Sequence, residues 1–126
     1  MKFELFKGLI IVPVTFVYKA SKIETQGVID TGSAGTALDI NLVKLDFTRP
    51  SSIVEIVGIG GSQDVLLQMV EEVTFNTATV KNFQIEFGDV TNIFGFDAIV
   101  GGDLLDALGI CIDYENRGIT SKRKTS

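Results

Sequence analysis

Hydrophobic residues along the chain fall into short segments that turn-forming residues separate. The apolar segment 8–18 is rich in β-branched side chains, and a second segment, 23–29, follows the polar turn 19–22 and ends at Asp30. Segments of this length and composition predict β-strands, and two of them joined by a short turn predict a hairpin. We therefore expect a β-hairpin with Asp30 at its end.

The middle of the chain predicts a second hairpin, between residues 51 and 76. Two apolar segments there flank a glycine-rich tip, which consists of Gly58, Ile59, Gly60, Gly61 and Ser62. A phosphate-binding loop is the other interpretation of such glycines, but no Gly-Lys-Ser/Thr follows and segment 65–70 lacks a helix cap. A hairpin with a mobile tip fits the pattern better.

The other segments are also short. Thr36–Leu38 continues extended, and Asp39 is placed to cap a short helical turn within 39–45. Alternating apolar residues predict strands at 83–87 and 110–114. Between them, we expect Asp103 to cap a helix that ends at Gly109. Because strands dominate and the longest helix has about two turns, the sequence predicts an all-β fold, a closed barrel or sandwich, with one short C-terminal helix.

Length and charge limit the possible functions. With 126 residues the chain fits one domain, which we place at 1–120, and the basic segment 121–126 is expected to be a disordered tail. The net charge of −5 argues against a nucleic-acid partner. Segment 8–18 is too short for a membrane span, and no cleavage pattern of an export signal follows it.

The chain contains no histidine and one cysteine, Cys111. A catalytic system of serine or cysteine with histidine is therefore excluded, and we expect no metal or other cofactor. Since Cys111 lies between two isoleucines, a buried, inert thiol is expected, and a reducing, cytoplasmic location fits a chain without disulfides. If the protein is an enzyme, carboxylates are the candidates for proton transfer.

The most informative motif is Asp30-Thr31-Gly32-Ser33, which the apolar residues Val28 and Ile29 precede. An isolated Asp-Thr-Gly is compatible with an ordinary surface turn in which the carboxylate caps local amides. Here, however, a strand leads directly into the acid, and small residues follow it. The pattern therefore indicates a carboxylate that is held in a fixed orientation.

The motif resembles the catalytic signature of the retropepsin-like aspartic proteases. Two further elements follow in the order of that family. The glycine-rich tip 58–62 is similar to the flap that covers substrate, and the segment 98–105 is similar to the apolar-apolar-glycine segment and short helix near the family's C-terminus. The resemblance extends over residues 9 to 114 and implies a single-lobe acid-protease fold.

The resemblance implies roles for individual residues. Asp30 would activate the attacking water, Gly32 would offer an N–H to the carboxylates, and Thr31 would form hydrogen bonds across a dimer axis. Ser33 would bond the outer oxygen of Asp30, and Thr36 would pack under the turn. The expected pocket walls are Val57, Ile59 and Val100. The tip lacks the tyrosine of the two-lobed pepsins, and no segment clearly matches the terminal strands that join the viral enzymes into dimers.

The chain has a single Asp-Thr-Gly motif, which predicts that the active protein contains two copies of the chain. Peptide hydrolysis without a metal or covalent intermediate needs an acid and a base, and two carboxylates about 3 Å apart that share one proton supply both. The other acidic candidates, which are better explained as caps or solvated residues, are Asp97, Asp103, Asp106 and Asp113. The second carboxylate is therefore expected from a second copy in a two-fold homodimer that binds an extended peptide.

Two alternatives remain open. The fold could serve as a peptide-binding or regulatory module with little turnover, although a pair of carboxylates forced together is of little use to a pure binder. An apolar strand before Asp-x-Gly-Ser also resembles the first phosphate motif of the actin and sugar-kinase ATPases. Those proteins need two domains and a second Asp-x-Gly element. Phosphotransfer of the haloacid-dehalogenase type is disfavoured because Gly32 occupies the position of its second aspartate.

Overall fold

A computed structural model of the protein describes residues 1–58 and 61–122. Within these residues the chain forms ten strands and two short α-helices. The strands are β1 (Glu4–Phe6), β2 (Leu9–Tyr18), β3 (Ser21–Ile29), β4 (Ala37–Asp39), β5 (Ser51–Gly58), β6 (Gly61–Phe75), β7 (Ala78–Gly88), β8 (Ala98–Val100), β9 (Ile110–Asp113) and β10 (Gly118–Ser121). The helices are α1 (Val90–Phe94) and α2 (Gly102–Leu108), and Ile40–Leu42 forms a 3₁₀ turn.

Eight of the described strands form one large sheet in the order β1-β2-β3-β8-β4-β7-β6-β5, and β2 also pairs with β6. Strand β8 lies between β3 and β4, parallel to β3 and antiparallel to β4. The chain therefore leaves the sheet after β3 and returns to it at β4, on the other side of β8. Strands β9 and β10 form a separate antiparallel pair. The predominantly β class expected from the sequence is confirmed.

Both faces of the β3–β8 pair are covered by apolar side chains. Ile29 and Val100 point into the main core, together with Phe16, Phe75 and Phe87. The neighbouring residues Val28 and Ile99 point to the opposite face, where they pack in a second cluster with Ala37 and Val90. Because consecutive side chains of a strand alternate between faces, the end of β3 is fixed by packing on both sides.

The first hairpin and the turn after Asp39 are confirmed. Strands β2 and β3 pair from Ile11 opposite Val28 to Tyr18 opposite Ser21, and the Asp39 side chain accepts a hydrogen bond from the amide of Asn41. Helix α1 was not expected from the sequence, since its five residues lack a side-chain cap. No helix among residues 1–58 and 61–122 has the length and apolar character needed to span a membrane.

Three expectations for the C-terminal part were wrong. Gly101, not Asp103, is the N-cap of α2, because Asp103 already lies in the first helical turn; the C-cap at Gly109 is confirmed by its left-handed conformation. Cys111 is exposed rather than buried, because its side chain points away from the core on β9. Ser121 belongs to strand β10 rather than to a tail, and residues 123–126 of that predicted tail lie outside the described part.

Candidate active site

Asp30 directly follows β3, and its backbone still pairs with the neighbouring strand β8. Its amide donates a hydrogen bond of 2.9 Å to the carbonyl oxygen of Val100 on β8, and its carbonyl accepts one of 3.1 Å from the amide of Ser33. The Gly32 amide donates to Asp30 Oδ1 at 3.0 Å. Taken as a whole residue, Asp30 is half-buried. Backbone donors and the sheet therefore hold the carboxylate in one orientation at the protein surface.

The rest of the turn is held by the first amides of α2. The Gly102 amide donates to the Ser33 carbonyl at 2.7 Å, and the Asp103 amide donates to the Ala34 carbonyl at 3.2 Å. The first N–H groups of a helix have no partners inside it, so they are free to bind another segment. In this protein they bind the carbonyls of the turn that carries Asp30.

The N-cap of α2 lies so close to the turn that only glycine fits there. A Cβ on Gly101 would overlap the Gly35 carbonyl group, 2.5 Å from its carbon atom, and would lie 3.0 Å from the Ser33 carbonyl oxygen. Real Cβ atoms do not approach backbone atoms so closely, so a side chain would push α2 and the turn apart. The short hydrogen bonds between them depend on this glycine.

Thr36 connects the end of the turn to the same helix. The residue is fully buried. Its hydroxyl donates to Asp103 Oδ1 at 2.7 Å and accepts a hydrogen bond of 3.1 Å from the Gly101 amide. A threonine hydroxyl can donate and accept at once, and both functions are used here. The structure thus brings Asp30, Gly32, Ser33 and Thr36 together in one turn.

Ser33 and Thr31 differ in their surroundings. The Ser33 hydroxyl donates to the Gly35 carbonyl at 2.9 Å, so the expected bond to the outer oxygen of Asp30 is absent from the described part of this chain. The Thr31 side chain is exposed. It lines a surface cavity of about 420 Å³ whose other walls come from α2 and β9: Gly102, Leu105, Asp106, Gly109, Ile110 and Ile112.

Two further acidic residues lie near the turn, Glu86 of β7 and Asp103 of α2. The Glu86 amide donates to the Thr36 carbonyl at 2.9 Å, and its carboxyl group lies against the Cα atom of Gly35. Burial and, to a smaller extent, the negative charge of Asp103 raise the pKa of Glu86 above its ordinary value. The sequence pattern does not distinguish this acid, because a single glutamate in an alternating strand usually faces solvent.

The glycine-rich hairpin forms as predicted around the tip. Val57 pairs with Ser62 and Gly58 with Gly61 across β5 and β6, whereas Ile59 and Gly60 lie outside the described residues. Val57 is 73% exposed, as is Ile53. Strand β5 is the last strand of the sheet. Between the described parts of this hairpin and the Asp30 turn there is no hydrogen bond.

Val100 does not lie on a surface. Its side chain is completely buried in the main core, so the expectation that it forms a pocket wall was wrong. The error came from assigning the wrong face of β8, since neighbouring residues of a strand point to opposite faces of the sheet. Ile99 is the residue on the opposite face, with Val28 and Ala37.

The described residues contain no cluster of three or more acidic or cysteine side chains that could hold a metal ion. Asp103 accepts from Thr36, and Asp113 accepts from the side chain of Asn116 at 2.8 Å. The turn 30–36 contains one acid, Asp30, whose carboxylate accepts a hydrogen bond from the Gly32 amide.

No protein-family model matches the chain, and no curated protein matches it significantly.

Proposed function

We propose that the protein is an aspartic endopeptidase of the retropepsin-like type, a homodimer in which each copy contributes Asp30 to one shared catalytic pair. The observation that carries the proposal is the oriented carboxylate: Gly32 donates to it at 3.0 Å, and α2 holds the turn around it. An ordinary surface turn would also form the Gly32 bond, but it would not be held by the first amides of a helix that lies about 70 residues away in sequence, as Gly102 and Asp103 hold this one. The proposed fold is the single-lobe closed barrel of this family, which the additional β2–β6 pairing supports.

The chemistry follows from two carboxylates in contact. At a separation of about 3 Å they cannot both ionise, so the pair retains one proton. The ionised member accepts a proton from water, which attacks the peptide carbonyl carbon, while the protonated member donates to the carbonyl oxygen. In the resulting tetrahedral diol, the protonated member donates to the amide nitrogen, the C–N bond breaks, and the ionised member accepts a proton from a diol hydroxyl, so that the carboxylic acid and amine products leave and the pair again holds one proton. The two apparent pKa values belong to the pair, not to one residue.

The surface beside Thr31 is the proposed position of the second copy. A two-fold axis that brings two Asp30 carboxylates together must pass close to Thr31, the next residue. There the chain has an open cavity between α2 and β9, with Leu105, Ile110 and Ile112 among its walls. Strand β9 pairs only with β10 among the described strands, so its other edge is available to a partner.

The β5–β6 hairpin is the proposed cover for an extended peptide. Ile53 and Val57 are each 73% exposed on the last strand of the sheet. Exposed apolar side chains on an edge strand are suited to a peptide, which would use backbone hydrogen bonds for affinity and apolar side chains for selection.

The test is hydrolysis of an unstructured protein and a peptide library by the wild type and by Asp30→Asn. We expect the substitution to lower the rate on the order of 10³-fold or more, because the amide neither accepts nor releases the catalytic proton. Its matched control is Glu24→Gln, which removes an exposed negative charge from the same strand. Thermal unfolding of all three proteins separates loss of catalysis from loss of folding.

Four outcomes would contradict the proposal. Cleavage that persists in Asp30→Asn would remove the catalytic assignment. An active species whose mass in solution is that of one chain would remove the shared pair. Peptide binding without any cleavage would favour a binding module, and ATP hydrolysis would favour the phosphate-binding alternative.

A further inference from the structure

Glu86 is a half-buried acid at the base of the Asp30 turn to which the proposed function gives no role. Its carboxyl group occupies the space beside Gly35 that a side chain would fill: a Cβ on Gly35 would lie 2.7 Å from Glu86 Cδ. No hydrogen bond to this carboxyl group is found among the residues that the structure describes. The group therefore contacts the turn without a donor that would stabilise its ionised form.

The charged surroundings of Glu86 are unfavourable to a carboxylate. On α2, Asp103 is the charged residue that acts on it. Across the neighbouring strands the paired residues are the uncharged Ala37 of β4 and Leu67 of β6. Among the described residues, no lysine or arginine forms a salt bridge with Glu86.

Glu86 and Asp103 both form hydrogen bonds with Thr36, at the end of the turn. Asp103 accepts the Thr36 hydroxyl at 2.7 Å, and its amide donates to Ala34, while the Glu86 amide donates to the Thr36 carbonyl. A repulsion between the two carboxylates therefore acts across the interface of β7, the turn and α2. Movement of either acid would loosen the hydrogen bonds that hold the turn on the helix.

We propose that Glu86 is a positioning residue for the Asp30 turn: its neutral carboxyl group packs on Gly35 and keeps α2 against the turn, and its ionisation loosens that contact. The catalytic meaning of this role rests on the proposed function of Asp30, whereas the contact itself does not. The turn would then be held most firmly under acidic conditions.

The burial of Glu86 and the negative charge of Asp103 both favour the protonated form of the Glu86 carboxyl group, and this sets the direction of the pH effect. Because the pKa of Glu86 is raised in the folded state, its contribution to stability is complete below the ordinary glutamate pKa and is lost as the pH rises through the folded value. The turn should therefore open more often toward neutral pH.

Amide hydrogen exchange tests the contact without any assay of activity. The reporters are the amides of Gly101, Gly102 and Asp103, which donate to Thr36, Ser33 and Ala34. After correction for intrinsic exchange, we expect their opening to increase several-fold from about pH 5 to about pH 8 in the wild type, relative to amides of the β2–β3 hairpin. In Glu86→Gln, which keeps the shape and cannot ionise, the increase should disappear.

Two more variants complete the experiment. Glu4→Gln, at an exposed position of β1, is the matched control and should behave like the wild type. Asp103→Asn retains an oxygen that can accept from Thr36 and removes the neighbouring charge, so the increase should become smaller without disappearing, because burial is the larger cause. An equal increase in the wild type and Glu86→Gln would overturn the proposal, as would a control that loses it.

If the protein cleaves peptides, the pH profile gives a second measurement. The alkaline limb of kcat/KM should move to higher pH in Glu86→Gln, while the value at the acidic optimum stays within about twofold of the wild type. A merely structural role for Glu86 would lower the rate at every pH. Absence of cleavage would count against the proposed function alone, since the exchange result remains decisive for Glu86.

Discussion

The Asp30 turn and the β5–β6 hairpin are stabilised by opposite means. The turn has little apolar surface, and its carbonyls accept hydrogen bonds of 2.7 Å and 3.2 Å from the first amides of α2. The hairpin lies at the edge of the sheet, and its side chains Ile53 and Val57 are each 73% exposed. The turn is thus fixed by contacts within the chain, whereas the hairpin presents apolar surface that contacts within the chain do not cover. Substitutions in the two regions should therefore differ in kind.

The largest effect is expected for Gly101→Ala. A Cβ there would lie 2.5 Å from the carbonyl carbon of Gly35, and the backbone atoms it meets cannot rotate away. We expect the free energy of unfolding to fall by about 3 kcal/mol. Urea denaturation followed by circular dichroism measures this change.

Gly102→Ala is the matched control for that substitution. A Cβ at Gly102 would lie 3.5 Å from the Ser33 carbonyl oxygen, an ordinary contact, and alanine is the better helix former. Its effect should be within about 1 kcal/mol and in the stabilising direction. Equal effects of the two substitutions would mean that α2 does not press on the turn as described.

An intermediate effect is expected for Thr36→Val, which keeps the shape of the side chain and removes its hydroxyl. The buried Gly101 amide would lose its acceptor and Asp103 would lose a donor. We expect a loss of about 1 to 3 kcal/mol in the free energy of unfolding. Thr36→Ser retains the hydroxyl and should recover most of the loss; a stable Thr36→Val beside an unstable Thr36→Ser would show that packing of the methyl group matters instead.

The smallest effect on stability is expected in the hairpin. Replacing Ile53 or Val57 by threonine retains a β-branched side chain at an exposed strand position, so the free energy of unfolding should change by no more than about 0.5 kcal/mol. If the hairpin covers a peptide as proposed, KM should rise while the folded state is unchanged. A large loss of stability would show that these side chains are covered by a partner or another part of the protein.

The fold was predictable where the chain contains long repeating patterns. Strands β2 and β3 have β-branched apolar residues, and their positions follow from the sequence; of β7, the alternating pattern at 83–87 predicts only the second half, since the strand begins at Ala78. Helix α1 could not be predicted because five residues without a side-chain cap give no periodic signal. The position of β8 between β3 and β4 depends on contacts between distant residues, which no local pattern contains.

The candidate site was predictable as a motif but not as a set of contacts. Asp30 was indicated by its place between an apolar strand and a turn of small residues, and Thr36 by the family resemblance alone. The face of β8 was misjudged, since Val100 and Ile99 are both apolar and only packing distinguishes them. Glu86 was missed because its importance comes from its neighbours, Gly35 and Asp103, which are remote in sequence.

The contact between Thr36 and Asp103 joins residues 67 positions apart, and this separation has a consequence for biosynthesis. While the ribosome still holds the C-terminal part, the emerging polypeptide has Asp30 but lacks β8 and α2, the elements that shape the turn around it. Contacts of long sequence separation form late because the loop between them must close first. The proposed activity would therefore be delayed until residues 98–108, which form β8 and α2, have been translated and released from the ribosome, and an unfinished chain could not degrade its neighbours.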